Sequence, residues 1–364
     1  MQHISAPILL LNPAICKANI QRMAARVKLW KGDFRPHFKT HQSAEVSEWL
    51  REAGVERITV SSLKMAEYFA QHGWSDITVA LSVTKLQAQV IDQLASNINL
   101  NIVVEDMESI HALEGCLNNP VGVFIKADTG YHRTGVDADD LVLMKKLLTP
   151  LQEAKKLIFM GFLTHAGNTY YARNQQQLDD IVKPALEKTL ALKTFLKDHF
   201  PLMQLSWGDT PSCSMYNDFY GLDEYRPGNF VFYDYTQTQI GSCTLKDVAV
   251  CMAAPVIATH PERNEIVLHA GAVHLSKDNI KLSDGTISFG KVVKLSGLTW
   301  NIEEEIGEIK SLSQEHGIVS VNNNILQHIK PGDVVGIIPV HSCLTANLMK
   351  QFLSTDGNLI EMMK

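Results

Sequence analysis

The feature that most constrains this chain is a count. Between residues 34 and 233, eight short and mainly apolar runs alternate with stretches of helical spacing. The runs lie at 34–38, 57–60, 77–81, 100–104, 121–127, 157–163, 203–207 and 229–233, and most are rich in Val, Ile, Phe or Leu. Such runs suit parallel strands buried on both faces. Helical periodicity covers 44–52, 63–72, 86–94, 107–117, 138–147 and 175–198, with turn signals at Glu52-Ala53-Gly54 and Gln71-His72-Gly73. Eight strands and their helices within one domain's length predict a closed (β/α)8 barrel. An open doubly wound sheet is the alternative, but no G-x-G-x-x-G follows an early strand.

After residue 240 the texture changes to β-rich segments at 248–258, 265–273 and 334–339, which read as a smaller β domain. The opening run at 7–11 precedes the first barrel helix and is expected to pair with that domain. The predicted organisation is therefore a barrel over 12–240 and a β domain over 241–364 with 1–11 added.

Composition narrows the function classes. The 364 residues are 45% hydrophobic and 20% charged with a formal net charge of -6, an ordinary globular balance that offers nucleic acid no basic surface. The apolar run before Asn12 and Pro13 is too short for a signal core or a membrane span. Six scattered cysteines without C-x-x-C spacing point to a reduced, cytoplasmic setting.

Barrel chemistry collects at the C-terminal ends of strands. There the sequence places His37-Phe38-Lys39-Thr40-His41, Asp128-Thr129-Gly130 with Arg133-Thr134-Gly135, Thr164-His165, Gly208-Asp209-Thr210-Pro211-Ser212, and Arg226-Pro227-Gly228. Most lysines are plain surface cations. One set between histidines, with its pKa lowered by neighbouring charge and partial burial, becomes an amine able to condense with an aldehyde. The small and hydroxyl residues at 208–212 are suited to offer amides to an anion such as phosphate.

The segment Arg35-Pro36-His37-Phe38-Lys39-Thr40-His41 resembles the cofactor-lysine motif of the D-serine dehydratase and D-threonine aldolase family, pyridoxal-phosphate enzymes on an alanine-racemase-like barrel with a C-terminal β domain. The resemblance extends through Tyr225-Arg226-Pro227-Gly228 and Tyr233-Asp234 to His341-Ser342-Cys343. It implies that Lys39 carries pyridoxal 5'-phosphate and moves protons at the substrate's α-carbon. It implies Arg133 as partner of the pyridine nitrogen and His165 beside the ring, with Tyr170, Gly208, Thr210, Gly228, Asn229 and Tyr233 as phosphate or ring-edge neighbours. A small-molecule D-amino acid is the implied substrate and a homodimer the implied assembly.

His341 and Cys343 stand two apart after the apolar run 334–340, so on a strand both would project from one face. By spacing alone they read first as a hydrogen-bonded histidine and a buried thiol. The resemblance makes them ligands of a divalent ion. Imidazole plus thiolate suits Zn2+, with Mn2+ an alternative, and two protein ligands leave positions open. An ion there would act on a β-hydroxyl, favouring dehydration or aldol cleavage, and the cysteine leans the reading toward D-serine dehydration. His41-Gln42 departs from the family pattern, which has lysine after the histidine. A racemase on the same fold commonly draws a tyrosine from the β domain as second acid–base group, yet residues 241–364 contain none. A non-catalytic pyridoxal-phosphate-binding protein would resemble the barrel alone, without the added β domain.

Overall fold

The computed structural model describes residues 4–364, which fall into two compact units: Arg22–Lys39 with Leu50–Gly228, and residues up to Gln21 with Thr40–Trp49 and Asn229–Lys364.

The first unit holds eight parallel strands: Asp33–Phe34, Ile58–Val60, Asp76–Ser82, Asn99–Val104, Val121–Asp128, Leu157–Thr164, Gln204–Trp207 and Glu224–Tyr225. Each pairs with its neighbour in turn, and the first pairs with the eighth. The remaining gap is bridged beside the second strand, where the amides of Phe38 and Thr59 donate to the carbonyls of Thr59 and Pro36 at 2.8 and 3.0 Å. The ring is nearly closed. The fifth strand shows why the sequence reads so clearly: seven consecutive residues from Val121 are buried, as a strand covered on both faces requires. At the sixth strand, Gly161 (φ +145°) lies where a Cβ would sit 1.9 Å from the Gln204 carbonyl oxygen, so only glycine admits the seventh strand there.

Six of the eight strands coincide with expected runs, the first meets its expected run of 34–38 only at Phe34, and the eighth does not coincide. Residues 229–233 are not a strand: Asn229–Val231 form a 3₁₀ turn and Tyr233 takes the left-handed conformation (φ 50°). The strand is Glu224–Tyr225, whose register aligns with Asp33–Phe34 on one side and Ser206–Trp207 on the other. The run Phe230-Val231-Phe232 is wholly buried without being extended in a sheet, and an apolar run alone does not distinguish these states.

Both closing strands are two residues long, and a buried ion network reinforces them. The Arg35 guanidinium donates to Glu224 Oε2 and Asp76 Oδ1, each at 2.6 Å, and to the Ile58 carbonyl at 3.4 Å. It thereby ties the first strand to the eighth, the third and the second. Ser206 Oγ donates to Glu224 Oε1 and accepts from Arg226 Nε, which extends the network to the far end of the eighth strand.

The second unit is an antiparallel β domain. Glu265–His269, His316–Val321, Thr299–Leu312, Gly290–Ser296, Val334–Pro339 and Val250–His260 pair in that order, and pairing between the last and first closes the six into a ring. Ile8–Leu11 joins it antiparallel to Val250–His260 and parallel to Gln351–Ser354. The expected strand over 265–273 stops at His269, and Gly271 opens the short helix Ala272–Leu275.

Replacing Arg35 with alanine leaves Glu224 buried and unpaired, and is expected to cost about 3–5 kcal/mol. Urea unfolding followed by circular dichroism checks this, and a loss under about 1 kcal/mol, the scale of an exposed pair, would refute the closing role.

Candidate active site

Lys39 ends the barrel unit's first segment, directly after the residues that bridge to Thr59. Its backbone amide donates to His37 Nδ1 at 3.3 Å, an arrangement that makes that nitrogen the acceptor and puts the His37 proton on Nε2. The expected partial burial of Lys39 is not found: the residue is exposed, so burial does not activate it. The neighbouring positive charge is present. Burial holds His37 well below its usual range, assisted by the charges of Lys39, Arg226, His165 and Lys126. Burial acts likewise on His165, with Lys39, Lys126 and Arg133 adding to it.

Lys126 is the group that sequence reasoning missed. It is buried in the fifth strand, and burial together with Arg226, Arg133 and Lys39 brings its amine down to about 7, opposed by Glu105. The available signal was a lysine inside the apolar run Val121-Gly122-Val123-Phe124-Ile125, a placement uncommon for a lysine without a functional or paired role.

The loops at the strand ends are built by local capping. Asp128 Oδ1 accepts the amides of Gly130, Tyr131 and His132 at 2.9–3.1 Å and Oδ2 meets His132 Nδ1 at 3.0 Å, folding the loop that presents Arg133. The Arg133 guanidinium lies 5.2 Å from the Tyr131 ring centre, and that ring packs edge-on against His165. The His165 Nδ1 lies 2.5 Å from the Gly208 carbonyl oxygen, which only accepts. The neutral ring therefore carries its proton on Nδ1 and presents Nε2 as a lone pair. At Gly208 a Cβ would come within 2.9–3.1 Å of the Arg226 guanidinium, so the absence of a side chain lets the loop lie against that cation. Arg226 donates to Ser206 Oγ and the Thr164 carbonyl, each at 2.5 Å, and burial lowers it to about 10.

The amides at 208–212 are less available than the sequence suggested. Asp209 caps the helix Thr210–Met215, taking the Ser212 amide at 2.7 Å, and its other oxygen accepts from Ser212 Oγ and Trp207 Nε1. Burial raises that carboxyl to about 6. Thr210 opens the helix and is buried; Tyr170 belongs to the 3₁₀ turn Gly167–Tyr171 and its carbonyl accepts from Arg173. Gly228 ends this unit.

Taken alone, the barrel unit brings Lys39, His37, His165, Lys126, Arg133 and Arg226 into one neighbourhood dense in positive charge. Such a donor set fits a small aldehyde bearing a phosphate and a phenolate, whose negative charge would relieve the repulsion.

In the β-domain unit, His341 and Cys343 do not lie on a strand. The strand ends at Pro339, His341 is the N-cap of helix Ser342–Met349, and Cys343 sits in its first turn. The reason is Asp234, whose Oδ2 takes the Ser342 amide at 3.0 Å and turns the chain. The pair is nonetheless brought together, hydrogen-bonded side chain to side chain. Cys343 Sγ lies 3.2 Å from Thr40 Oγ1 and 3.5 Å from Asn229 Nδ2. Asn229 Nδ2 also donates to Asp234 Oδ2 at 2.6 Å, while its buried Oδ1 has no partner among the described residues. The buried Tyr233 closes the turn, its amide donating to the Asn229 carbonyl at 2.7 Å.

Asp278, also unforeseen, holds His341 Nδ1 at 2.8 Å, so Nε2 is the ring nitrogen that a metal could take. Burial opposes charge on this ring, but Asp278, Cys343 and Asp234 outweigh it and raise it to about 11. An imidazole and a thiol gathered beside the Asp278 and Asp234 carboxylates form a donor set that fits a divalent metal. No sequence signal marked Asp278, since its partner comes 63 residues later.

Residues 11–236 match the family model "Alanine racemase, N-terminal domain", and residues 249–355 match "Putative serine dehydratase domain". D-serine dehydratase of Dictyostelium discoideum is 28% identical over 396 residues, covering 100% of this chain and 97% of the relative. D-threo-3-hydroxyaspartate dehydratase of Delftia sp. (strain HT23) is 28% identical over 354 residues, covering 94% and 92%. D-threonine aldolase of Arthrobacter sp is 21% identical over 368 residues, covering 99% and 92%. The solved Delftia enzyme superimposes with a TM-score of 0.89 at 27% identity over 99% of this chain and 98% of that one, and a variant of it has been solved in a metal-free form.

If Asp278 orients His341, Asp278→Ala should weaken zinc binding by about 10–100-fold. Calorimetric titration with zinc checks this; an unchanged Kd would remove Asp278 from the site.

Proposed function

The chain belongs to the alanine racemase N-terminal domain family and is a pyridoxal-phosphate-dependent lyase of its D-β-hydroxy amino acid branch, and we propose that it dehydrates D-serine to pyruvate and ammonia, with Lys39 as its catalytic amine. The observation that carries this reading is the set of cations and neutral histidines around Lys39. It is an environment suited to an anionic aldehyde and to an amine that exchanges protons.

When bound, pyridoxal phosphate supplies an electron sink for negative charge at the α-carbon, and a divalent ion supplies Lewis acidity toward a β-hydroxyl. Lys39 would hold the cofactor and then remove the α-proton of the substrate. Loss of that proton and of the β-hydroxyl as water leaves 2-aminoacrylate, which tautomerises and hydrolyses to pyruvate and ammonia. Arg133 is proposed to face the pyridine nitrogen, where a permanent cation disfavours protonation and so moderates the sink. His165, neutral and anchored to Gly208, would keep its place beside the ring without adding charge. Tyr170, Gly208, Thr210, Gly228, Asn229 and Tyr233 are proposed neighbours of the phosphate and ring edge.

His341 and Cys343 are the proposed ligands of the divalent ion, taken as zinc because an imidazole and a thiolate form a borderline-soft pair. The β-hydroxyl is common to D-serine, D-threonine and D-threo-3-hydroxyaspartate. The cysteine in the ligand pair supports dehydration over aldol cleavage, and the Dictyostelium relative supports D-serine as the substrate.

No described helix is long and apolar enough to cross a membrane, and all six cysteines are free thiols. A cytoplasmic location and a homodimer complete the proposal; a sizing column would test the dimer.

Pyruvate, acetaldehyde and glycine are to be assayed separately with D-serine and D-threonine, with zinc and after chelation. Zinc-dependent pyruvate from D-serine is expected, and acetaldehyde with glycine from D-threonine would instead make the protein an aldolase. Lys39→Ala should abolish the cofactor's visible band and lower turnover by about 10²–10⁴-fold or more. An unchanged band in that variant would refute the assignment of Lys39.

A further inference from the structure

Within the β-domain unit, three potential ligands converge away from His341 and Cys343 in sequence. His269 ends the strand Glu265–His269, His274 lies in the helix Ala272–Leu275, and Glu315 sits in the turn between Thr299–Leu312 and His316–Val321. Backbone pairing sets their positions. His269 stands opposite His316 in the ladder, while the amides of Ala272 and Val273 donate to the Ser313 and Gln314 carbonyls at 2.8 and 3.2 Å. Gly271 permits this approach, since a Cβ there would lie 2.1 Å from the Gln314 carbonyl oxygen.

Glu315 Oε2 lies 3.8 Å from His269 Nε2 and 3.9 Å from His274 Nε2, and one ligand atom from each residue lies within 4.8 Å of the others. We propose that His269, His274 and Glu315 form a second divalent metal site, of the zinc class, independent of the His341–Cys343 pair. Ligands about 2.0–2.2 Å from a tetrahedral zinc stand roughly 3.3–3.6 Å apart, so small side-chain rotations complete the geometry. Two imidazoles and a carboxylate suit zinc better than calcium or magnesium, which prefer oxygen alone. The partly exposed side chains leave water a fourth position.

Binding has one local cost. His274 Nδ1 accepts the Gly271 amide at 3.2 Å, a contact that must open when Nε2 coordinates and the proton moves to Nδ1. In return the ion links the strand, helix and turn, and fixes the segment that continues from His274 to Asp278, the carboxylate against His341. The role inferred is structural.

The test is calorimetric titration of the holoenzyme with zinc alone, using Cys343→Ala to impair the other pair. One zinc per chain is expected to bind to Cys343→Ala, and adding H269A and H274A should abolish that binding while circular dichroism stays native. Should that triple variant fail to fold, Glu315→Gln in the Cys343→Ala background is expected to weaken the binding at least about tenfold. Absence of zinc binding by Cys343→Ala, or undiminished binding in the folded ligand variants, would overturn the proposal. Loss of pyruvate formation with this site intact would count against the proposed reaction alone.

Discussion

A barrel whose first and last strands are each two residues long has little backbone ladder with which to close, and the buried guanidinium of Arg35 supplies what the ladder lacks. Removing three charges from water is costly, and the cost is recovered only where every partner is met. Here Arg35 reaches two carboxylates and a carbonyl, and Glu224 is met by Ser206 on its other oxygen. Because the Ser206 hydroxyl donates to Glu224, its lone pair faces Arg226. The network that closes the barrel thus also fixes the direction of the cation against which Gly208 lies. Strand closure and the electrostatics around Lys39 share hydrogen bonds through Ser206.

Much of this was legible because the barrel strands are buried on both faces and leave unbroken apolar runs. The helix Ala44–Glu52 and the strand Val334–Pro339 coincide with their expected bounds, where the periodicity is strong or flanking turns are sharp. The eighth strand was misplaced for the converse reason. Glu224–Tyr225 is short, and its glutamate is buried by an ion pair rather than by apolar character. The buried Phe230-Val231-Phe232 beyond it imitates a strand.

The proposed site was legible in sequence as a lysine motif and a histidine–cysteine pair, and illegible wherever a side chain depends on a distant partner. Lys126 was visible as a charge within an apolar run. Asp278 was not, since nothing near it in sequence reports a histidine that folding delivers. His341 and Cys343 are neighbours as their spacing suggested, but through another element: a helix N-terminus capped from afar by Asp234 aligns them, where alternation along a strand was expected.

The pairing of Val250–His260 with Glu265–His269 also bears on how the protein survives in concentrated solution. Once that ring is closed, the nine-stranded sheet ends at a single margin among the described residues, the three-residue strand Leu359–Glu361. A sheet margin is a template on which foreign strands can grow, and this one is short and carries Glu361. The nine-stranded sheet therefore offers a foreign strand little to extend.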